Sequence, residues 1–85
     1  MTKKVVVYST KTCPYCVQAK MLLGKKGVHY SEIDVSDENE RQKMVEKANG
    51  KRSVPQIFIG DTHVGGFDDL NRLNQEGKLD SLLAD

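Results

Sequence analysis

Val5-Val6-Val7-Tyr8-Ser9-Thr10-Lys11-Thr12-Cys13-Pro14-Tyr15-Cys16 is the stretch that decides the fold. A β-branched apolar run gives way to polar residues at Ser9, and a proline follows where a helix takes its first turn. The reading is strand, short turn, helix, with the strand over about residues 4–9 and the helix from about Pro14 to Lys26. Pro14 falls at an early helical position, where its missing N–H costs nothing. Val17, Ala19, Leu22 and Leu23 mark the expected buried side, and Gly27 supplies the stop. The two thiols lie one helical turn apart, where a disulfide can close. Cys13 stands at the helix N-terminus, among unpaired N–H groups that favour a negative sulfur. Cys16 lies deeper in the first turn, which suits it to resolving a mixed disulfide.

Working outward, residues 29–35 alternate well enough for a second strand. Ser36 or Asp37 caps a helix over about 38–48, and Asn49-Gly50 ends it. A parallel β–α–β unit is the natural result. Ile57-Phe58-Ile59 then forms an apolar strand, with Gly60-Asp61 turning into Thr62-His63-Val64. Gly65-Gly66 breaks that strand before a helix of about 68–75, entered at Phe67 or Asp68 and packed through Leu70 and Leu73. Gly77 ends it, and Leu79, Leu82 and Leu83 make a last helical segment. The expected class is α/β, a small mixed sheet with helices on both faces in one domain spanning 1–85.

Eighty-five residues bury only a modest core, which argues against a large enclosed pocket. Two cysteines are too few for a secreted disulfide scaffold, and a pair this close cannot staple the fold; a cycling pair in reducing cytoplasm fits better. The N-terminal apolar run is interrupted too early for a signal-peptide core, and no stretch reaches the ~20 apolar residues of a membrane span. Net charge is +1, unevenly spread: residues 1–31 carry six lysines and no acid, residues 60–85 six acids and two bases. The basic part includes Lys11, beside Cys13, and such a field favours a thiolate or an anionic thiol substrate. Solubilising lysines on exposed faces explain Lys20, Lys25 and Lys26 equally well. The bases are not interleaved with stacking aromatics, so nucleic acid is not an expected partner.

Three places carry chemistry. A Cys-x-x-Cys pair alone is either redox-active or half a zinc site, and a zinc site needs two further ligands, for which only His29 and His63 are present. The strand–turn–helix context favours redox work. Ser53-Val54-Pro55 precedes an apolar strand; it is either an ordinary trans entry turn or a cis bend that exposes the Val54 N–H and C=O beside Cys13 to an extended substrate. Gly65-Gly66-Phe67-Asp68-Asp69 is either a capped loop or a seat for an amino-acid head group, with helix N–H groups for a carboxylate and Asp68 for an ammonium.

Taken together, Thr12-Cys13-Pro14-Tyr15-Cys16, Val54-Pro55-Gln56-Ile57-Phe58-Ile59 and Gly65-Gly66-Phe67-Asp68-Asp69 resemble the dithiol glutaredoxins over essentially the whole chain. The resemblance implies a thioredoxin-like fold with a four-stranded sheet, a cis Val54–Pro55 bond, and glutathione as co-substrate without a tightly bound cofactor or metal. It implies that Cys13 is the nucleophile and Cys16 the resolving thiol. Tyr15, Val54 and Pro55 would flank the glutathione cysteinyl unit, and Gly66, Phe67 and Asp68 the γ-glutamyl end. The family commonly has lysine three places before the nucleophile, where this chain has Thr10 and brings Lys11 one residue later. Lys11 and Arg52 are the candidates for the glycyl carboxylate. The implied activity is reduction of glutathione mixed disulfides and protein disulfides by a cytoplasmic monomer. Two rival readings are a redoxin served by thioredoxin reductase and an iron–sulfur or zinc module using Cys13. A glutathione-dependent assay, with visible absorption and metal analysis, separates them.

Overall fold

The computed structural model describes residues 3–84. Eight elements follow in order: β1 (Val5–Ser9), α1 (Pro14–Lys25), β2 (Tyr30–Asp34), α2 (Glu38–Lys47), β3 (Gln56–Ile59), β4 (Thr62–Gly65), α3 (Phe67–Gln75) and α4 (Leu79–Leu83). The four strands form one sheet in the order β2-β1-β3-β4. β1 runs parallel to β2 and antiparallel to β3, while β3 and β4 form an antiparallel hairpin. The sheet is therefore mixed.

Strand alternation sorts the core into two layers. Val5 and Val7 of β1, with Ile57 and Ile59 of β3, face Ala19 and Leu23 of α1, Leu70 of α3, and Leu79 and Leu83 of α4. The opposite face holds Tyr8, Val35 and Met44, with Val6, Phe58 and Val54 packed against them. Helices thus cover both faces, as expected of the thioredoxin-like class. Each fully buried Ile or Leu contributes roughly 1.5–3 kcal/mol by leaving water, so β3 alone anchors much of the sheet.

Local chemistry sets the element ends. Cys13 is the N-cap of α1, with Pro14 in the first turn. The Asp37 carboxylate caps α2 by accepting from the Asn39 and Glu40 amides at 3.0 and 3.3 Å, which decides between Ser36 and Asp37. The second strand is shorter than 29–35. His29 is exposed and precedes it, whereas Val35 is buried just beyond it and donates its N–H to Ser9 O at 2.8 Å. Val17, expected in the core, is 49% exposed. The inward stripe of α1 is Cys16, Ala19 and Leu23, at helical spacings of three and four, and Val17 lies about 100° round from Cys16. Leu22 and Leu73 are only partly buried at the core's margin.

Candidate active site

The β1–α1 turn and the approach to β3 meet at one edge of the molecule. Cys13 and Cys16 are joined as a disulfide, their Cα atoms 5.2 Å apart. Cys16 is wholly buried while Cys13 is partly exposed, so an incoming thiol or disulfide reaches Cys13 first. The Cys16 N–H donates to Cys13 Sγ at 3.1 Å. In the reduced protein that donor and the N-terminal end of α1 both favour a thiolate on Cys13. Across the turn, Cys13 Sγ lies 3.7 Å from the carbonyl oxygen of Val54. The Val54–Pro55 bond is cis, as the resemblance implied.

A groove of about 210 Å³ opens beside this contact. Tyr15, Val54, Pro55, Gly66, Phe67 and Asp68 all line it, so six of the residues singled out from the sequence come together. Tyr15 is 58% exposed and its ring stacks against that of Phe67, with centroids 6.3 Å apart, forming one wall. At the head of α3 the carboxylate that caps is that of Asp69, which accepts from the Gly66 N–H at 3.2 Å. Asp68 is thereby left exposed on the groove. Gly65 has φ of +117°, and a Cβ there would run into the Asp69 carboxylate. The first glycine of the pair is thus needed by the backbone, and the second opens the helix.

Two candidates fall elsewhere. Arg52 turns away from the groove and forms a two-pronged pair with Glu38 of α2, at 2.9 and 2.8 Å. The Arg52 hydrogen bonds, helped by Gln42, hold the Glu38 carboxyl down at about 2. Lys11 is exposed and its charge bears on Asp34, whose carboxyl is lowered chiefly by the Ser36 amide. The cation on the groove is Lys51, with Ser53 and Gln56 also on its wall. Sequence reading passed over Lys51, because nothing in the sequence sets it apart from Arg52 beside it. Lys51 and Ser53 share one side, and Arg52 takes the other. Among the described residues no cluster of three or more His, Cys, Asp or Glu side chains is arranged to hold a metal ion.

A buried cysteine, a partly exposed cysteine at a helix N-terminus and a cis-proline beside the pair define a thiol–disulfide oxidoreductase of thioredoxin-like fold. The chain belongs to the glutaredoxin family, whose model matches residues 5–64. It is 52% identical over 81 residues to glutaredoxin 1 of Rickettsia prowazekii, covering 93% of this chain and 85% of that one. The solution structure of a glutaredoxin from Brucella melitensis is 51% identical with a TM-score of 0.85, covering 96% and 89% of the two chains. The crystal structure of a buckwheat glutaredoxin–glutathione complex has a TM-score of 0.85 at 32% identity, covering 95% and 76%. The activity is glutathione-dependent thiol–disulfide oxidoreduction through Cys13 and Cys16.

Proposed function

We propose that the groove beside Cys13 holds glutathione, and that the chain works as a single-domain cytoplasmic monomer on glutathionylated and disulfide-containing proteins. The observation that carries the reading is the 3.7 Å approach of Cys13 Sγ to Val54 O at the groove's rim. It sets the nucleophile beside a backbone unit able to pair with an extended peptide. The cysteinyl unit of glutathione lies along Val54 and Pro55, flanked by Tyr15 and Phe67. The γ-glutamyl end meets the head of α3 at Gly66, Phe67 and Asp68, its carboxylate on helix N–H groups and its ammonium near Asp68. Lys51 suits the glycyl carboxylate better than Lys11 or Arg52, because it lines the groove. The buckwheat relative, solved as a complex with glutathione, supports glutathione as the occupant.

The Cys13 thiolate attacks the glutathione sulfur of a mixed disulfide. Attack on the protein-side sulfur would instead join the substrate to Cys13 and expel glutathione. The protein thiolate leaves and takes a proton, and Cys13–glutathione remains. A second glutathione thiolate attacks the glutathionyl sulfur, giving oxidised glutathione and restoring the Cys13 thiolate. The N–H that stabilises this thiolate also makes it a good leaving group. With a protein disulfide, Cys13 forms a mixed disulfide with the substrate, Cys16 displaces it, and two glutathiones reduce the Cys13–Cys16 pair. The test is steady-state reduction of a small glutathione mixed disulfide, coupled to glutathione reductase and NADPH. Turnover that saturates with the mixed disulfide supports the reading. No turnover by folded protein, with rapid reduction by thioredoxin reductase, sinks it.

A further inference from the structure

Gln56 is a polar side chain buried to 1% exposure at the start of β3. A buried primary amide must place two N–H groups and an oxygen, because each one left unmet costs stability. Gln56 Nε2 donates to the Ser53 carbonyl oxygen at 3.0 Å and approaches Ser53 Oγ at 3.2 Å. Its Oε1 lies 2.6 Å from His63 Nε2, on β4. His63 stacks on Phe58 with centroids 4.8 Å apart, and its Nδ1 is 3.4 Å from Asn49 Nδ2 at the end of α2. One polar chain therefore runs Asn49–His63–Gln56–Ser53 from the back of the sheet to the backbone before Val54, the proposed clamp for glutathione.

The direction of that chain follows from its chemistry. Gln56 spends its N–H groups on Ser53, so its oxygen must accept, and His63 must carry its proton on Nε2. Nδ1 is then bare and accepts from Asn49. A neutral imidazole satisfies every contact. Burial keeps His63 below its usual pKa, with Lys51 adding repulsion and Asp69 opposing it. The far end of the chain is the informative one. The Ser53 C=O and the Val54 N–H belong to one planar trans peptide, so they point in opposite directions. Fixing Ser53 O on Gln56 fixes the Val54 N–H away from it.

We propose that Gln56 and His63 are positioning residues that lock the Ser53–Val54 peptide plane, and so set the affinity of the clamp for the glutathionyl group without touching the reacting sulfurs. The inference rests on the proposed seating of glutathione along Val54.

The test uses the full chain with His63→Phe, which keeps a ring on Phe58 and removes both nitrogens, and His63→Gln, which restores an N–H donor toward Gln56. His63→Phe should raise KM for a glutathione mixed disulfide about five- to tenfold. The kcat and the rate of Cys13 alkylation by iodoacetamide should stay within about twofold, because no contact to the sulfur is lost. His63→Gln should recover most of the KM. In the ligand-free reduced protein, the Val54 amide resonance should move in His63→Phe and return in His63→Gln. Unchanged KM in folded His63→Phe, or equal losses in kcat and alkylation rate, would overturn the proposal. Should His63→Phe not fold, the imidazole nitrogen spectrum of the unmodified protein decides. A proton on Nε2 supports the chain, and a proton on Nδ1 breaks it. Failure of the glutathione reading shows separately, as absent turnover by the unmodified protein while the Val54 amide still responds to His63.

Discussion

Cys13 Sγ stands 3.7 Å from the Val54 carbonyl oxygen, a contact between residues 41 positions apart in the chain. The same sulfur accepts from the Cys16 N–H at 3.1 Å. In the reduced protein these neighbours oppose each other, since an N–H donor favours the thiolate and a carbonyl acceptor favours the thiol. The donor wins. A hydrogen bond to an ionised acceptor is roughly twice as strong as a neutral one, and the α1 N-terminus adds to it.

The proposed division of labour between the cysteines rests on their burial. Cys13→Ser should lower turnover of both mixed and protein disulfides at least about a thousandfold, as loss of a nucleophile does. Cys16→Ser should keep turnover of a small glutathione mixed disulfide within about fivefold, because that cycle never needs a resolving thiol. It should slow reduction of protein disulfides that depend on internal resolution. Cys16 is wholly buried, so a hydroxyl there must find a partner or cost about 1–3 kcal/mol. Thermal unfolding should accompany the kinetics. Activity retained by Cys13→Ser would refute the assignment.

Gly65 tests the head of α3 through the backbone. An alanine there would hold a left-handed φ of +117° and push against the Asp69 carboxylate that caps Gly66. Strain and loss of the cap together should destabilise the fold by roughly 1–3 kcal/mol, measured by urea denaturation. KM for a glutathione mixed disulfide should rise as well, because the first turn of α3 shifts. Gly66→Ala should be milder, since its added carbon meets only Pro55 O at 3.5 Å. Equal effects at the two glycines would contradict this account.

The Glu38–Arg52 fork ties α2 to the segment leading to Val54, and it makes a pH prediction. The Glu38 carboxyl sits at about 2, below an ordinary value of 4.5, because of its hydrogen bonds to Arg52 and Gln42. The folded state then holds this proton more weakly than the unfolded chain does. The stability it contributes is present above pH 4.5 and is lost as pH falls through about 2. Both partners are exposed, so salt should weaken the effect. Comparing unmodified protein with Glu38→Gln by chemical denaturation at successive pH values should show their difference shrinking across that window. A Glu38 carboxyl that titrates in the ordinary range by NMR would show that the fork does not hold in solution.

Much of this was legible in the chain because periodicity and punctuation agree. Val5–Tyr8, Pro14 after a capping position and Asn49-Gly50 after α2 each point to the element observed. The three motif segments meet because two of them border β1 and β3, which are adjacent in the sheet. What escaped reading depends on direction in space. Gln56 opens a strand, and composition does not say whether a polar side chain there faces water or a buried partner. Asp68 and Asp69 are equally good caps on paper, and only the turn of α3 gives the role to Asp69. Val17 is apolar, but its angle around α1 and not its apolarity decides its exposure.

Lys51 and Arg52 show how a choice between neighbours becomes an experiment. Lys51 lines the groove, whereas Arg52 is occupied by Glu38 and Lys11 lies near Asp34. Lys51→Ala should raise KM for a glutathione mixed disulfide about three- to tenfold, and the difference should narrow as salt screens the charge. Arg52→Ala and Lys11→Ala should change it by less than about twofold. A second readout checks where the Lys51 charge lies without any ligand. It helps to hold His63 below its usual pKa, so Lys51→Ala should move the His63 titration upward, toward 6.5. The sign then carries through to stability. A base depressed in the folded state takes its proton first in the unfolded chain, so stability falls as pH drops through 6.5, and Lys51→Ala should soften that fall. An Arg52 variant with the larger KM change, or a His63 titration indifferent to Lys51, would return the glycyl carboxylate to the arginine.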